Sequence, residues 1–180
     1  HTIRSMDDCV RTANELAERV EEWAGTQVDV SGSGVELAHT VATHDNVPRP
    51  LQSLATRVCE LDEQATALRT EVERTAPDVA PNLAAMAGPV LAARLISLGG
   101  GLEALAKKPS GTLQVLGAEE ALFAHLRGHA PSPKHGVIYT HDAVRNTRLE
   151  DRGSASRALA GKLTIAARVD HYSGERKSEL

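Results

Sequence analysis

A chain of 180 residues and 19.1 kDa has room for one medium domain or two small ones. Hydrophobic residues make up 41% of it but aromatics only 2% (Trp23, Phe123, Tyr139 and Tyr172), which argues against an aromatic-rich sheet and for a core of Leu, Val, Ile and Ala in packed helices. The net charge of −4 excludes a uniformly basic chain and conceals a split: residues 1–81 hold seven Lys and Arg against fifteen Asp and Glu, residues 82–180 thirteen against nine, which points either to a polyanion met by the second half alone or to two differently solvated surfaces.

The first predicted element carries Ile3, Met6, Val10, Ala13, Ala17, Val20 and Ala24, in steps of three and four that fall on one stripe of a helix. Gly25 and the run Val30-Ser31-Gly32-Ser33-Gly34 end it. A second series, Leu51, Leu54, Val58, Leu61, Ala65, Leu68 and Val72, keeps a strict heptad seam flanked by Arg57, Glu60, Glu63, Arg69 and Glu71. Pro50 suits a first helical turn, and Pro77 is expected to close the helix. Two such helices predict an antiparallel hairpin within the chain, with any uncovered part of the seam open to a second copy.

Residues 76–82, with Pro77 and Pro81, read as a hinge between the acidic and basic halves. Beyond it, residues 89–98 predict a helix with proline in its first turn, stopped by Gly99, Gly100 and Gly101. A short helix follows over 102–107, then a loop over 108–112 and a helix over 117–126 with Glu119 and Glu120 at its positive end. Residues 128–148 read as loop, with Val137, Ile138 and Tyr139 as a brief extended piece; residues 154–169 form a long alanine-rich helix. No internal repeat and no alternation of strands with helices is present, so the fold class is all-α.

Several runs carry a resemblance that periodicity alone does not supply. They are Asn82-Leu83-Ala84-Ala85-Met86-Ala87-Gly88-Pro89 with Ala92-Ala93-Arg94-Leu95-Ile96, then Leu105-Ala106-Lys107-Lys108-Pro109 and Gln114-Val115-Leu116-Gly117-Ala118-Glu119 with Ala121-Leu122-Phe123. After them come Pro133-Lys134-His135-Gly136-Val137-Ile138-Tyr139, Arg157-Ala158-Leu159-Ala160-Gly161-Lys162-Leu163 and Ala166-Ala167-Arg168-Val169-Asp170. In this order, over about residues 78–174, they resemble the Nop domain family of box C/D ribonucleoproteins, and the acidic half resembles the coiled coil that precedes that domain in archaeal members. The resemblance implies a coiled-coil hairpin used for dimerisation over residues 1–77 and a compact helical Nop domain over 78–180. It further implies an RNA-binding scaffold for guided ribose 2′-O-methylation. Such a scaffold recognises kink-turn RNA jointly with a small ribosomal-protein-like kink-turn-binding partner. A fibrillarin-like methyltransferase, which uses S-adenosylmethionine, would be reached only through an N-terminal domain that this chain does not include. The start at His1 accordingly reads as a fragment.

By family position, Lys107 and Lys108 with Ser110, Gly111 and Thr112 meet the RNA backbone, the small residues letting amides approach phosphate. His135 matches a position whose imidazole stacks on an exposed base. Arg157 and Arg168 stand eleven residues apart, three helical turns, and so share one face, from which they can grip phosphates or stack. Lys134, Arg152 and Lys162 are further candidates by charge and neighbourhood. Three positions often basic in the family are Glu120, Ala124 and Ser154 here. Either salt adaptation, with stacking and shape carrying more of the affinity, or weakened RNA binding accounts for them.

Rival readings find less support. His125, His129, His135 and His141 with Asp142 invite a metal site, yet glycine and prolines interrupt them and no zinc-binding spacing appears. Cys9 and Cys59 fit neither a metal nor a disulfide framework, and a reducing cytoplasm is the expected setting. The glycines at 99–101 lack the Lys-Ser/Thr end of a P-loop. The expectation is therefore no catalytic residue, no cofactor, no metal and no membrane span. The alternative function is a protein-binding coiled-coil scaffold whose RNA binding is weakened or lost.

Overall fold

The computed structural model describes residues 1–27 and 31–177. All the regular elements among them are helical: α1 (Thr2–Ala24), α2 (Gly34–Ala42), α3 (Arg49–Val79), α4 (Pro81–Ala87), α5 (Pro89–Gly99), α6 (Leu102–Lys107), α7 (Ser110–Gln114), α8 (Glu119–Leu126), α9 (Asp142–Arg145) and α10 (Arg152–Tyr172), with a 3-10 turn at Val137–Thr140. The all-α class stands. The chain divides into two compact units, His1–Glu71 and Val72–Leu180.

In the first unit the stripe on α1 is buried at Ile3, Met6, Ala13, Ala17, Val20 and Ala24, whereas Val10 is 41% exposed. The residues Ala13, Ala17, Val20 and Ala24 join Leu37, Ala38 and Val41 of α2 and Leu51, Ala55 and Val58 of α3 in one apolar cluster. The helix α2 begins at Gly34, the last residue of the run read as ending α1, and covers residues to which periodicity assigns no element; Val30 of that run lies outside the described residues. Its first amide, Gly34 N–H, donates to the Glu21 carboxylate at 3.0 Å, and Ala42 carbonyl at its end accepts from Gln52 Nε2 at 3.1 Å. Both ends of a nine-residue helix are thus satisfied by residues distant in the chain, which local pattern cannot announce. The heptad seam divides in two: Leu51, Val58, Ala65 and Val72 are buried, while Leu54, Leu61 and Leu68 are half-buried.

Pro77 does not close α3. The helix runs two residues further, to Val79, and Ala80 N–H still bonds Ala76 carbonyl at 3.0 Å. A proline costs its own N–H bond and crowds the carbonyl four residues back, which a final half-turn tolerates. The residues read as a hinge are instead the junction of two helices, α3 and α4, and α4 meets α5 at a bend of 118°.

In the second unit α10 is the central element. Its face of Leu159, Ala160, Leu163, Ala166 and Ala167 is buried against α4, α6, α7 and α9, its alanines allowing close approach. Leu83, Leu91, Leu95, Leu105, Leu113 and Ile138 complete that core. The glycine stop after α5 forms as expected: Gly100 takes a left-handed conformation (φ 87°) and Gly101 N–H reaches back to Ile96 carbonyl at 2.8 Å. Three local expectations are corrected. Residues 110–114 are a short helix rather than loop, because Leu113 is drawn into the core beside α10. Residues 137–139 are a 3-10 turn rather than extended, because Ile138 buries itself in the cluster and no strand is present among the described residues to pair with. The helix expected from residue 117 starts at Glu119, whose carboxylate turns back to accept from Gly117 N–H at 2.8 Å. No single helix among the described residues is long and apolar enough to cross a membrane.

Candidate nucleic-acid interface

The site is built on the junction of α6 with α7, the segment after Pro133, and one face of α10. The helix α6 ends at Lys107, and Lys108 leaves it in extended backbone. The exposed Lys107 ammonium pairs with Glu103 one turn earlier at 2.6 Å. The hydrogen bond to Glu103 raises the Lys107 pKa and lowers that of Glu103, the charge of each partner adding to the effect. Ser110, Gly111 and Thr112 form the exposed first turn of α7. Arg168 explains why this junction is fixed: its Nε donates to Ala106 carbonyl at 3.0 Å and its Nη2 to Lys108 carbonyl at 3.5 Å, satisfying the end of α6. Arg168 therefore works partly as a cap that presents Lys107 and Lys108, and remains exposed itself.

The segment bearing His135 is held against α7 by three hydrogen bonds. Gln114 Nε2 donates to Lys134 carbonyl at 2.7 Å, Gly136 N–H to Gln114 carbonyl at 2.8 Å, and Val137 N–H to Leu116 carbonyl at 2.8 Å. The approach is so close at Gly136 that a Cβ there would stand 2.0 Å from Leu116 carbonyl oxygen, so no other residue fits without moving backbone. Held this way, the His135 ring stacks on Tyr139, centroids 4.7 Å apart and planes at 23°. The Arg152 guanidinium lies 5.3 Å from the Tyr139 ring centre and also donates to Thr147 carbonyl at 3.1 Å. Arg152 thus anchors the approach to α10 as well as the aromatic pair.

Arg157, Lys134 and Gly111 come together around a cleft of about 430 Å³ whose wall includes Gln114 and Leu122. Lys162 is not part of it; it lines a separate cleft of about 520 Å³ with Met86, His141 and Ala143. A step of five residues along a helix turns it about 140° from Arg157. The structure therefore sorts the predicted residues: Gly111, Lys134 and Arg157 share a cleft, His135 and Arg152 both lie against Tyr139, Lys107, Lys108 and Arg168 meet at the end of α6 just before Ser110 and Thr112, and Lys162 stands apart. Tyr139, Gln114 and Gly136 lie within the family-like runs, and none of them carries a charge that marks it as a site residue. Only the folded geometry shows that they position His135.

The histidines that suggested a metal lie in different environments. His125 Nδ1 bonds Ala130 carbonyl at 2.9 Å, His141 Nε2 bonds Met86 carbonyl at 3.1 Å while its Nδ1 caps α9, and His135 stacks on Tyr139. Among the described residues no three His, Cys, Asp or Glu side chains converge to hold an ion. Cations beside flat rings and small residues on a rigid edge suit a polyanion with exposed bases.

The family model described as "Nop: snoRNA binding domain, fibrillarin" matches residues 5–180, and the chain belongs to the Nop family. It is 48% identical over 126 residues, 70% of this chain, to an uncharacterized NOP5 family protein of Methanocaldococcus jannaschii, covering 30% of that protein. It is 35% identical over 161 residues, 89% of this chain, to nucleolar protein 56 of Dictyostelium discoideum, covering 29% of it. The chain thus spans under a third of the length of these relatives. Among solved structures it resembles a chain in the crystal structure of a fibrillarin/Nop5p complex, with TM-score 0.67 and 25% identity over 97% of this chain and 59% of that one.

Proposed function

We propose that the chain is the RNA-binding assembly scaffold of a box C/D guide ribonucleoprotein that directs 2′-O-methylation of ribosomal or transfer RNA. It recognises kink-turn RNA jointly with a ribosomal-protein-like kink-turn-binding partner and performs no catalysis itself. The observation that carries this reading is the segment of Lys134 and His135 pinned to the end of α7, where Lys134 and Arg157 line one cleft and the His135 ring, one residue on, stacks on Tyr139. Residues 1–77 serve self-association and residues 78–180 the RNA. A fibrillarin-like methyltransferase joins through an N-terminal domain outside this chain, a reading supported by the likeness to the fibrillarin/Nop5p structure. The similarity to a Methanocaldococcus protein supports an archaeal, cytoplasmic setting.

A mobility-shift titration tests the proposal. The chain is expected to shift kink-turn RNA strongly only when the kink-turn protein is already bound. Equal, weak binding to any RNA, with no dependence on that protein, would overturn it. The second reading, a protein-binding scaffold with little RNA affinity, is favoured by one observation: Glu103 already neutralises Lys107 at 2.6 Å. Glu103→Gln tests it, since the RNA reading predicts unchanged or tighter RNA binding and the second reading predicts none in either form.

A further inference from the structure

Beyond Arg157 the exposed face of α10 continues past Arg168 to residues that the interface does not include. Residues 157, 161, 165, 168 and 172 follow in steps of four, four, three and four, and so lie in one sector of the helix. Ile165 is 53% exposed and Tyr172 69%, on a helix that buries Leu159 and Leu163 on its other side. Between Arg157 and Arg168, Gly161 leaves open space above the backbone. The stripe is therefore a shallow track with an arginine near each end and an aromatic ring at its far end.

Tyr172 has cationic neighbours. It lies near enough to Lys107 to add, after Glu103, to the effects that raise the lysine's pKa. The His171 ring meets Tyr172 edge-on, centroids 4.6 Å apart at 62°. Arg168, one turn back, ties α10 to the end of α6 and so fixes Lys107 and Lys108 relative to this ring. The exposed tyrosine thus stands near Lys107, one turn from Arg168 and against the His171 ring, and the Glu103 carboxylate beside Lys107 is already paired with it.

We propose that Tyr172 is a second stacking platform for the RNA. An unpaired base stacks on its ring, Ile165 and Gly161 form the floor, and Arg157 and Arg168 hold the phosphates between this base and the one at His135. The charge of the surroundings selects the occupant: cations alternating with a bare ring complement a single-stranded polyanion, whereas a protein partner would call for a continuous apolar face. Arg157 and Tyr172 are fifteen residues apart, about 22 Å along the helix, enough for several nucleotides. This inference rests on the RNA reading above and extends it to a new residue.

The test is a mobility shift with the full chain, the kink-turn protein and a kink-turn RNA carrying unpaired nucleotides beyond the kink, comparing wild type with Tyr172→Ala and Tyr172→Phe. Tyr172→Ala is expected to weaken binding about tenfold with an unchanged salt slope, and Tyr172→Phe to retain it. Deleting the unpaired nucleotides is expected to make wild type and Tyr172→Ala equal. Wild-type binding with Tyr172→Ala equally tight on the longer RNA overturns the platform alone. Loss of affinity for the kink-turn protein without RNA overturns it in favour of protein docking. Failure of the wild type to bind any RNA overturns the scaffold reading and this inference together.

Discussion

The Asp170 carboxylate is buried and yet fully engaged. Its two oxygens accept from Asn82 N–H at 2.9 Å, Asn82 Nδ2 at 2.6 Å and Leu83 N–H at 2.8 Å. It thereby caps the first turn of α4 from 88 residues away, where Ala80 at the local cap position offers no side-chain oxygen. Asn82 in turn donates to Glu175 carbonyl at 2.8 Å and accepts from Lys177 N–H at 2.7 Å, so the same pair fixes the segment after α10. Removing the carboxylate leaves two buried amides without an acceptor, and hydrogen bonds to a charged group are worth about 1.5–3 kcal/mol each. Asp170→Ala should therefore lower stability by about 3 kcal/mol, read as a fall in the urea midpoint with little change in slope. Asp170→Asn keeps one acceptor oxygen and should cost less. Equal, negligible losses for both would show that the bond network contributes nothing to folding.

At the scale of elements, what the sequence revealed depended on where each helix is stabilised. The helices α1 and α3 bury a stripe repeated every three or four residues, and such a stripe is visible in a single chain. The helices α2, α4 and α7 were not legible, because their ends are capped by Glu21, Gln52 and Asp170 from elsewhere or, for α7, because one leucine seats it in the core. The site divides in the same way. Its cations and His135 could be named from the family motifs, but their grouping could not, since Lys134 and Arg157 share a cleft only after α10 crosses α7. The segment bearing His135 supplies a test of this docking. Gly136→Ala forces a Cβ into the Leu116 carbonyl, and relief requires the segment to lift from α7. A loss of about 1–3 kcal/mol is expected from overpacking. The His135 ring resonances should shift as its stack on Tyr139 opens. Gly111→Ala, with open space around it inside α7, is the control and should leave the ring shifts unchanged and stability equal or slightly higher. A Gly136→Ala chain with wild-type stability and ring shifts would show that the segment is not held by this contact.

Over the whole molecule the charge of −4 opposes a nucleic acid, so any RNA binding must be local. The Debye length is about 8 Å at physiological ionic strength, so a cleft acts through the cations that line it rather than through the net charge. Half the heptad seam is buried in the chain, and Leu54, Leu61 and Leu68 remain half-buried, a line of side chains that a second copy could cover. Light scattering on a Leu54→Ala, Leu61→Ala, Leu68→Ala triple variant should give monomer where the wild type gives dimer, and identical masses would remove self-association from the proposal. For RNA, the two clefts of α10 make opposite predictions. Arg157 lines the cleft with Lys134 and His135's segment, and if it holds a phosphate its loss releases one fewer counterion. Arg157→Ala should then reduce the slope of log affinity against log salt by about 1, and Lys162→Ala, in the separate cleft, should leave it unchanged. His135→Ala should weaken binding by about 1–3 kcal/mol at constant slope, since a stacked ring displaces no counterion. A slope that falls equally for Arg157→Ala and Lys162→Ala would mean that the RNA surrounds α10 instead of lying along one face. A slope unmoved by either would return both side chains to solvent.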